Sequence, residues 1–162
     1  ADVSIAKNSI KTRLEDSYVI DTRSKMDKIG LKHPAPFSYI DISKICSKNN
    51  IVDKMILDPF LGVGSTIIGT YKDNNTIGIE LNPEYVDLTH ERFELLGIKD
   101  QALASSTIIC GDSLEEVKKL DTSIDIVITS PPYFNILKNK AKNKSSVFFV
   151  LVVLSKSADT VS

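Results

Sequence analysis

At 162 residues, 42% hydrophobic and 25% charged, the chain has the length of one domain and enough apolar content for a packed core. Twenty Lys plus Arg against twenty-one Asp plus Glu leave a net charge of −1, so no global basic field draws it to nucleic acid or an anionic membrane. Any such partner has to be met by a local patch. No apolar stretch is long enough to cross a bilayer and no charged-then-apolar leader opens the sequence, so it reads as soluble and cytoplasmic. Cys46 and Cys110 lie far apart, outside any Cys-x-x-Cys spacing, and are expected to be reduced thiols in or near the core. Ala1 in first place is expected of a processed N-terminus or of a piece of something longer.

Residues 1–30 are polar and mixed in charge, with one β-like run at Tyr18-Val19-Ile20, and form an extension of unassigned role. Lys32-His33-Pro34-Ala35-Pro36-Phe37 stiffens the backbone, because each proline fixes its own φ and pushes the residue before it to extended geometry. A helix over 38–47 follows, with Tyr39, Ile42, Ile45 and Cys46 on one face. The apolar run Met55-Ile56-Leu57 ends in Asp58 and passes through Gly62 and Gly64 into Ser65-Thr66-Ile67-Ile68, which predicts strand, tight turn and helix. Asp73-Asn74-Asn75 breaks that helix. Residues 76–80 form a second strand ending in Glu80.

Asn82-Pro83 starts the next helix, with Asn as N-cap, Pro at the first position and Gly97 past the end; Val86, Thr89, Phe93 and Leu96 form its inward stripe beside Tyr85. After a polar connection, 107–110 is a third strand closed by Gly111-Asp112. Ser113 with Glu116 then reads as a capping box for a helix reaching about Leu120. Residues 124–129 form the fourth strand, ending at Ser130-Pro131-Pro132-Tyr133. Strands alternating with helices predict an α/β fold with a parallel sheet and right-handed crossovers. Asp58, Glu80, Asp112 and Ser130 then all fall at the carboxyl edge, where open sheets of this kind bind ligands.

The glycine turn is neither a phosphate loop, which ends Gly-Lys-Ser/Thr, nor a dinucleotide fingerprint, which needs a third glycine or alanine. Asp58 would repel a pyrophosphate and suits a cationic ligand. Glu80, about twenty residues beyond the turn, is placed to accept hydrogen bonds from a ribose diol. Asp112 can accept from an exocyclic amine such as that of adenine. Pro131 and Pro132 donate no N–H, so their carbonyls and the Ser130 hydroxyl are free to accept from an amino group. Tyr133 supplies a flat face for a base taken out of its stack.

Taken as a set, these segments resemble the S-adenosylmethionine-dependent DNA amino-methyltransferases, the cytosine-N4 and adenine-N6 DNA methylases. Asp58-Pro59-Phe60-Leu61-Gly62-Val63-Gly64-Ser65-Thr66 is similar to the family's cofactor motif, Ile79 to Tyr85 to its ribose-binding motif, and Thr129 to Tyr133 to its catalytic motif. His33-Pro34-Ala35-Pro36-Phe37 resembles the segment that encloses the methionine end of the cofactor. The likeness covers residues 28–134 and implies a Rossmann-like sheet of the class I methyltransferase type with its C-terminal strands incomplete. It implies S-adenosylmethionine as cofactor, with His33, Pro34, Phe37, Asp58, Phe60, Gly62, Gly64, Ser65 and Thr66 around its amino-acid end. Glu80 would hold the ribose, and Asp112 with Ser113 the adenine. Ser130, Pro131, Pro132 and Tyr133 would bind the target base. The serine form of the last motif is the one usual in cytosine-N4 enzymes. No metal is implied: His33 and His90 are far apart, and His90 lies mid-helix as a surface residue.

The resemblance also implies double-stranded DNA as substrate, with the target base flipped out, and a site-specific role in a restriction–modification system. A catalytic domain is placed at 31–137, followed by a tail at 138–162 that is basic at Lys138, Lys140, Lys142 and Lys144 and then apolar from Val147 to Leu154. That apolar run has the length of a buried strand. Twenty-nine residues after Tyr133 are too few for the remaining strands and a DNA-reading region, as in a truncated, frameshifted or split gene. Target recognition is then expected from a second chain or a missing region. The cofactor motifs precede the catalytic one, whereas many enzymes with Ser-Pro-Pro-Tyr run the other way round.

Overall fold

The computed structural model describes residues 38–130 and the backbone of 151–154. In chain order, helix α1 spans Tyr39–Lys48, strand β1 Met55–Asp58, α2 Ser65–Thr70, β2 Asn75–Glu80, α3 Pro83–Leu95 and α4 Lys99–Ala104. Strand β3 follows at Ser106–Cys110, α5 at Ser113–Glu116 with a 3-10 turn at Val117–Lys119, β4 at Ile126–Thr129 and β5 at Leu151–Leu154. The sheet order is β3-β2-β1-β4-β5. The first four strands are parallel, and β5 pairs antiparallel to β4 with Thr129 opposite Leu151. The predicted α/β sheet is therefore present, and part of the apolar tail run does form a strand.

The strands read as near-continuous apolar runs because both faces are covered, as in parallel sheets generally. On one face Ile56, Ile126 and Ile128 pack with Ile42, Cys46 and Ile51. Beside them Leu61, Ile67, Ile68, Phe93 and Ala102 join α2, α3 and α4 into one cluster. The other face carries Leu57, Ile77 and Ile79, with Leu120 and Ile124 against them.

Local chemistry sets the boundaries. Ser38 caps α1 by accepting from the Ile40 N–H, and Asn82 caps α3 by accepting from the Glu84 N–H with Pro83 at the first helical position. Gly97 at φ +66° closes α3: its N–H donates to the Glu94 carbonyl and that of Ile98 to the Phe93 carbonyl. Helix α2 ends earlier than its asparagines indicate, at Thr70. Asn74 is buried and bridges elsewhere, accepting from the Lys54 N–H and donating to the Ile51 carbonyl.

Three expectations are corrected. The polar connection before β3 contains α4, which buries only Ala102 and has no side-chain cap, so it shows no apolar stripe in the sequence. The cap of α5 is Asp112, not Ser113: the Asp112 carboxylate accepts from the Leu114 N–H in extended backbone geometry, and Ser113 is the first helical residue. Cys110 is exposed, because β3 is an edge strand with an alternating burial pattern. Cys46 is buried as expected, and burial, with the charge of Asp73, pushes its thiol up to about 11. His90 is half-buried with its ring edge-on to Phe93.

The turn after β1 lies over β2, with the Leu61 N–H donating to the Ile79 carbonyl. Gly78 makes room for it, since a Cβ there would stand 2.7 Å from both Leu61 methyls. Gly64 has a double requirement: φ is +83°, and a Cβ would stand 2.5 Å from Thr89 Cγ2 on α3. For Gly64→Ala the left-handed conformation costs about 1–2 kcal/mol and the overlap about 1–3 kcal/mol more. Urea unfolding should show a lowered midpoint, and adding Thr89→Ser should recover only the part due to overlap.

Candidate functional site

Asp58 ends β1 with a side chain that has no solvent exposure. One carboxylate oxygen accepts from the Phe60 N–H at 3.0 Å and the other from the Thr66 hydroxyl at 2.5 Å, so the acid folds the turn back onto α2. Burial pushes its pKa up to about 6. The hydroxyls of Thr66 and Thr129 and the Phe60 N–H oppose that rise, while the negative charge of Glu80 adds to it. No cation among the described residues pairs with Asp58. A buried carboxylate in this state fits a ligand that brings its own positive charge.

Glu80 ends β2 and reaches across to the turn. One oxygen accepts from the Gly62 N–H at 2.7 Å, and the other accepts from the Asn82 N–H at 2.9 Å, at the cap of α3. The far side of the turn is held by α3. Thr89 shares its hydroxyl proton between the carbonyls of Tyr85 at 2.9 Å and Gly62 at 3.3 Å. Arg92, fully buried, donates through Nη1 to the Val63 carbonyl at 2.8 Å and the Ser65 hydroxyl at 2.9 Å. Its guanidinium also lies 5.7 Å from the centre of the Tyr39 ring on α1.

The structure thus brings Asp58, Gly62, Ser65, Thr66 and Glu80 into one bonded unit, with Gly64 fixed against Thr89. Phe60 stands exposed at its rim. Asp112 lies beyond the end of β3, one carboxylate oxygen engaged in capping α5, while Ser113 donates its hydroxyl to the Pro59 carbonyl and ties α5 to the Asp58 turn. Ser130 follows β4, which pairs directly with β1, and is half-buried. His33, Pro34, Phe37, Pro131, Pro132 and Tyr133 lie outside the described residues. Among the described residues no three His, Cys, Asp or Glu stand together as metal ligands.

Arg92 is a support of the turn that sequence reasoning missed, and Thr89 was read only as part of the inward stripe of α3. The signal for Arg92 was there: positions 85, 89, 92, 93 and 96 recur at helical spacing, so Arg92 belongs to the inward stripe, but its charge reads as solvent-facing.

Comparison with known proteins bears on this arrangement. Residues 5–91 match the family of N6/N4 methyltransferases described as DNA methylase. The chain belongs to that family. Residues 53–140 also match RNA cap guanine-N2 methyltransferase, whose span begins after the His33–Phe37 segment that the DNA methylase match includes.

Among individual relatives, the chain is 39% identical over 99 residues to the type II beta methyltransferase M.BslI of Bacillus sp. (strain NEB-606), covering 58% of this chain and 10% of that one. It is 34% identical over 80 residues to the type II methyltransferase M2.MboI of Moraxella bovis, covering 49% and 29%. With M.ScaI of Streptomyces caespitosus it shares 36% over 73 residues, covering 44% and 23%. The chain therefore spans less than a third of each of these relatives. Among solved structures, precorrin 8w decarboxylase of Methanobacterium thermoautotrophicum superposes with a TM-score of 0.50 at 15% identity, over 67% of this chain and 70% of that one. The two share an α/β fold, here a sheet with four parallel strands and an antiparallel fifth.

Two outcomes follow from this geometry. Arg92→Met leaves the Val63 carbonyl and the Ser65 hydroxyl without their donor, at a cost of about 1–3 kcal/mol for a buried polar group. Chemical denaturation should register the loss, with Arg92→Lys intermediate because it keeps a donor on a differently shaped head. For Asp58, the unfolded chain releases the carboxyl proton near its ordinary value of 3.8 while the folded chain holds it to about 6. Stability therefore falls as pH rises through that window, by on the order of 3 kcal/mol in all. Asp58→Asn keeps the shape without titrating. The stability of the wild type relative to this variant should decline from about pH 4 to about pH 6 and level off above.

Proposed function

We propose that this chain forms the cofactor-binding and base-binding part of a site-specific DNA methyltransferase of the restriction–modification type. The cofactor is S-adenosylmethionine and the acceptor is an exocyclic amino group of a flipped-out base, most readily cytosine N4. The observation that carries this reading is the buried Asp58 carboxylate without a cation, set one hydrogen-bonded turn from Glu80 at the carboxyl edge of a parallel sheet. It supports a ligand that has both a positive end and a diol, as S-adenosylmethionine does. When bound, that cofactor supplies an electrophilic methyl on a positively charged sulfur.

The chain's own groups do the rest. Asp58, ionised by a neighbouring positive charge, holds the amino-acid end inside the turn shaped by Gly62, Gly64, Ser65 and Thr66, with Phe60 at the rim. His33, Pro34 and Phe37 help enclose that end. Glu80 still has lone pairs beyond those used by Gly62 and Asn82 and offers them to the ribose. Asp112, with Ser113 beside it, accepts from the adenine amine on the lone pairs left by its cap. At the base site, the Ser130 hydroxyl and the Pro131 or Pro132 carbonyl accept the protons of the target amine. This draws its lone pair out of conjugation and aims it at the methyl. Tyr133 stacks on the flipped base. No metal enters these steps.

The serine at 130 favours cytosine N4 over adenine N6. A second reading, transfer to a guanine amine in RNA, is favoured by the match of residues 53–140 to RNA cap guanine-N2 methyltransferase. A second chain or a further region supplies target recognition. The test has two stages. By calorimetry, S-adenosylhomocysteine should bind the chain, and Glu80→Gln, which keeps the size of the side chain but loses the charge and one of its two acceptor oxygens, should bind at least about tenfold more weakly. Equal affinity in both would remove Glu80 from the site. Labelled methyl from S-adenosylmethionine should then appear in duplex DNA as N4-methylcytosine on nucleoside analysis of the intact protein's products, and be lost in Tyr133→Ala. Label in N6-methyladenine or in RNA guanine would move the acceptor to one of the alternatives.

A further inference from the structure

Asp112 follows β3 with one carboxylate oxygen committed to the Leu114 N–H at 2.9 Å, and its backbone carbonyl accepts from the N–H groups of Glu115 at 3.0 Å and Glu116 at 2.8 Å. Its carboxylate therefore goes where α5 goes. That helix has four residues and buries none of them, and Leu114 stands exposed, so neither intrinsic helix stability nor a core contact of its own fixes its place. Contacts at its start do so instead.

Gly111, just before Asp112, donates its N–H to the Glu80 carbonyl at 2.9 Å and so ties this junction to the end of β2. A Cβ on Gly111 would stand 2.8 Å from the Glu116 Cγ, which shows how closely α5 lies over that tie. Ser113 makes the second link, donating its hydroxyl to the carbonyl of Pro59, the residue between Asp58 and Phe60 in the turn after β1. Of these contacts, it is the one that joins α5 to the Asp58 turn.

We propose that Ser113 is a positioning residue that sets the span of the cofactor site. By holding α5 to the Pro59 carbonyl it keeps the Asp112 carboxylate at one distance from the Asp58 turn, and the site then favours a ligand whose two ends are that far apart. A longer ligand has to bend or give up one end, because a preorganised site does not follow it. The inference rests on the functional reading above, in which Asp58 takes the amino-acid end and Asp112 the adenine, and goes beyond it by assigning the selection for ligand length to one hydroxyl.

The test compares S-adenosylhomocysteine with its homologue that has one more methylene between the sulfur and the amino-acid end, by calorimetry on wild type, Ser113→Ala and Ser113→Thr. Ser113→Ala removes the link and leaves the Asp112 cap, and thermal unfolding of both variants should stay near that of wild type because α5 buries no residue. Wild type should prefer S-adenosylhomocysteine by at least about tenfold, the scale of one misplaced methylene in a fixed site. In Ser113→Ala the affinity for S-adenosylhomocysteine should fall about tenfold, as for one lost hydrogen bond, and the preference should shrink to about threefold or less as the loosened helix accommodates the homologue. Ser113→Thr, which keeps the hydroxyl, should retain both affinity and preference. A merely structural role would weaken both ligands equally. Equal losses in Ser113→Ala, a Thr variant that behaves like the Ala variant, or a wild type that binds the two ligands alike would each overturn this inference while leaving the functional reading in place. Wild type that binds neither ligand would overturn the functional reading, and this inference with it.

Discussion

A tight turn that carries two left-handed glycines exposes backbone groups that cannot bond to each other, and in this chain those groups are satisfied by side chains from two other elements. Glu80 from β2 takes the Gly62 N–H, and Arg92 from α3 supplies the donor for the Val63 carbonyl. Buried backbone groups are rarely left unpaired, so this turn holds one shape only while β2 and α3 are docked on either side of it. The shape of the turn is therefore a product of the packing of the whole sheet face, and Phe93 and Leu61 in the same core cluster belong to its construction as much as the glycines do.

The docking depends in turn on close approach. Gly64 leaves room for Thr89, and Gly78 leaves room for Leu61 to lie on β2. Gly69 does the same between α2 and α1, where a Cβ would stand 2.6 Å from the Ile42 Cβ. β2 and α3 thus come close to the turn, and α1 close to the helix that follows it. Tyr39 completes the arrangement by placing its ring under the Arg92 guanidinium, so α1 supports the turn through the same arginine.

The parts of this architecture that were legible in the sequence are those written in residue types with one dominant use. Asn82-Pro83 and Gly97 mark the ends of α3 because N-cap acceptance, a fixed φ and a left-handed closing residue each demand those residues. The apolar runs ending in Asp58 and Glu80 gave the strands and their carboxyl edge. Less legible were residues with several uses. At 112–113 both Asp and Ser can cap a helix, and the choice fell to Asp112 because the Ser113 hydroxyl is drawn to the Pro59 carbonyl, 54 residues away in the chain. Helix α4 was hidden because it contributes a single buried alanine. Arg92 was hidden because a charge on a helix reads as solvated until the partners that neutralise its burial cost, here in a different element, are seen.

Two carboxylates at neighbouring strand ends raise an electrostatic problem that no single motif reveals. Glu80 spends its oxygens on backbone donors, and its charge makes ionisation of Asp58 harder in a setting where burial already opposes it. Below about pH 6 the unliganded turn therefore favours a neutral Asp58, and a cation entering beside it reverses the balance, because the attraction grows as water is excluded. In that range binding of a positive ligand and release of the Asp58 proton are then one event, and affinity for such a ligand weakens as pH falls. A neutral ligand of the same shape has no such dependence. The arrangement thus selects for charge by burying a carboxylate whose ionised form a positive ligand stabilises and an uncharged ligand of the same shape does not.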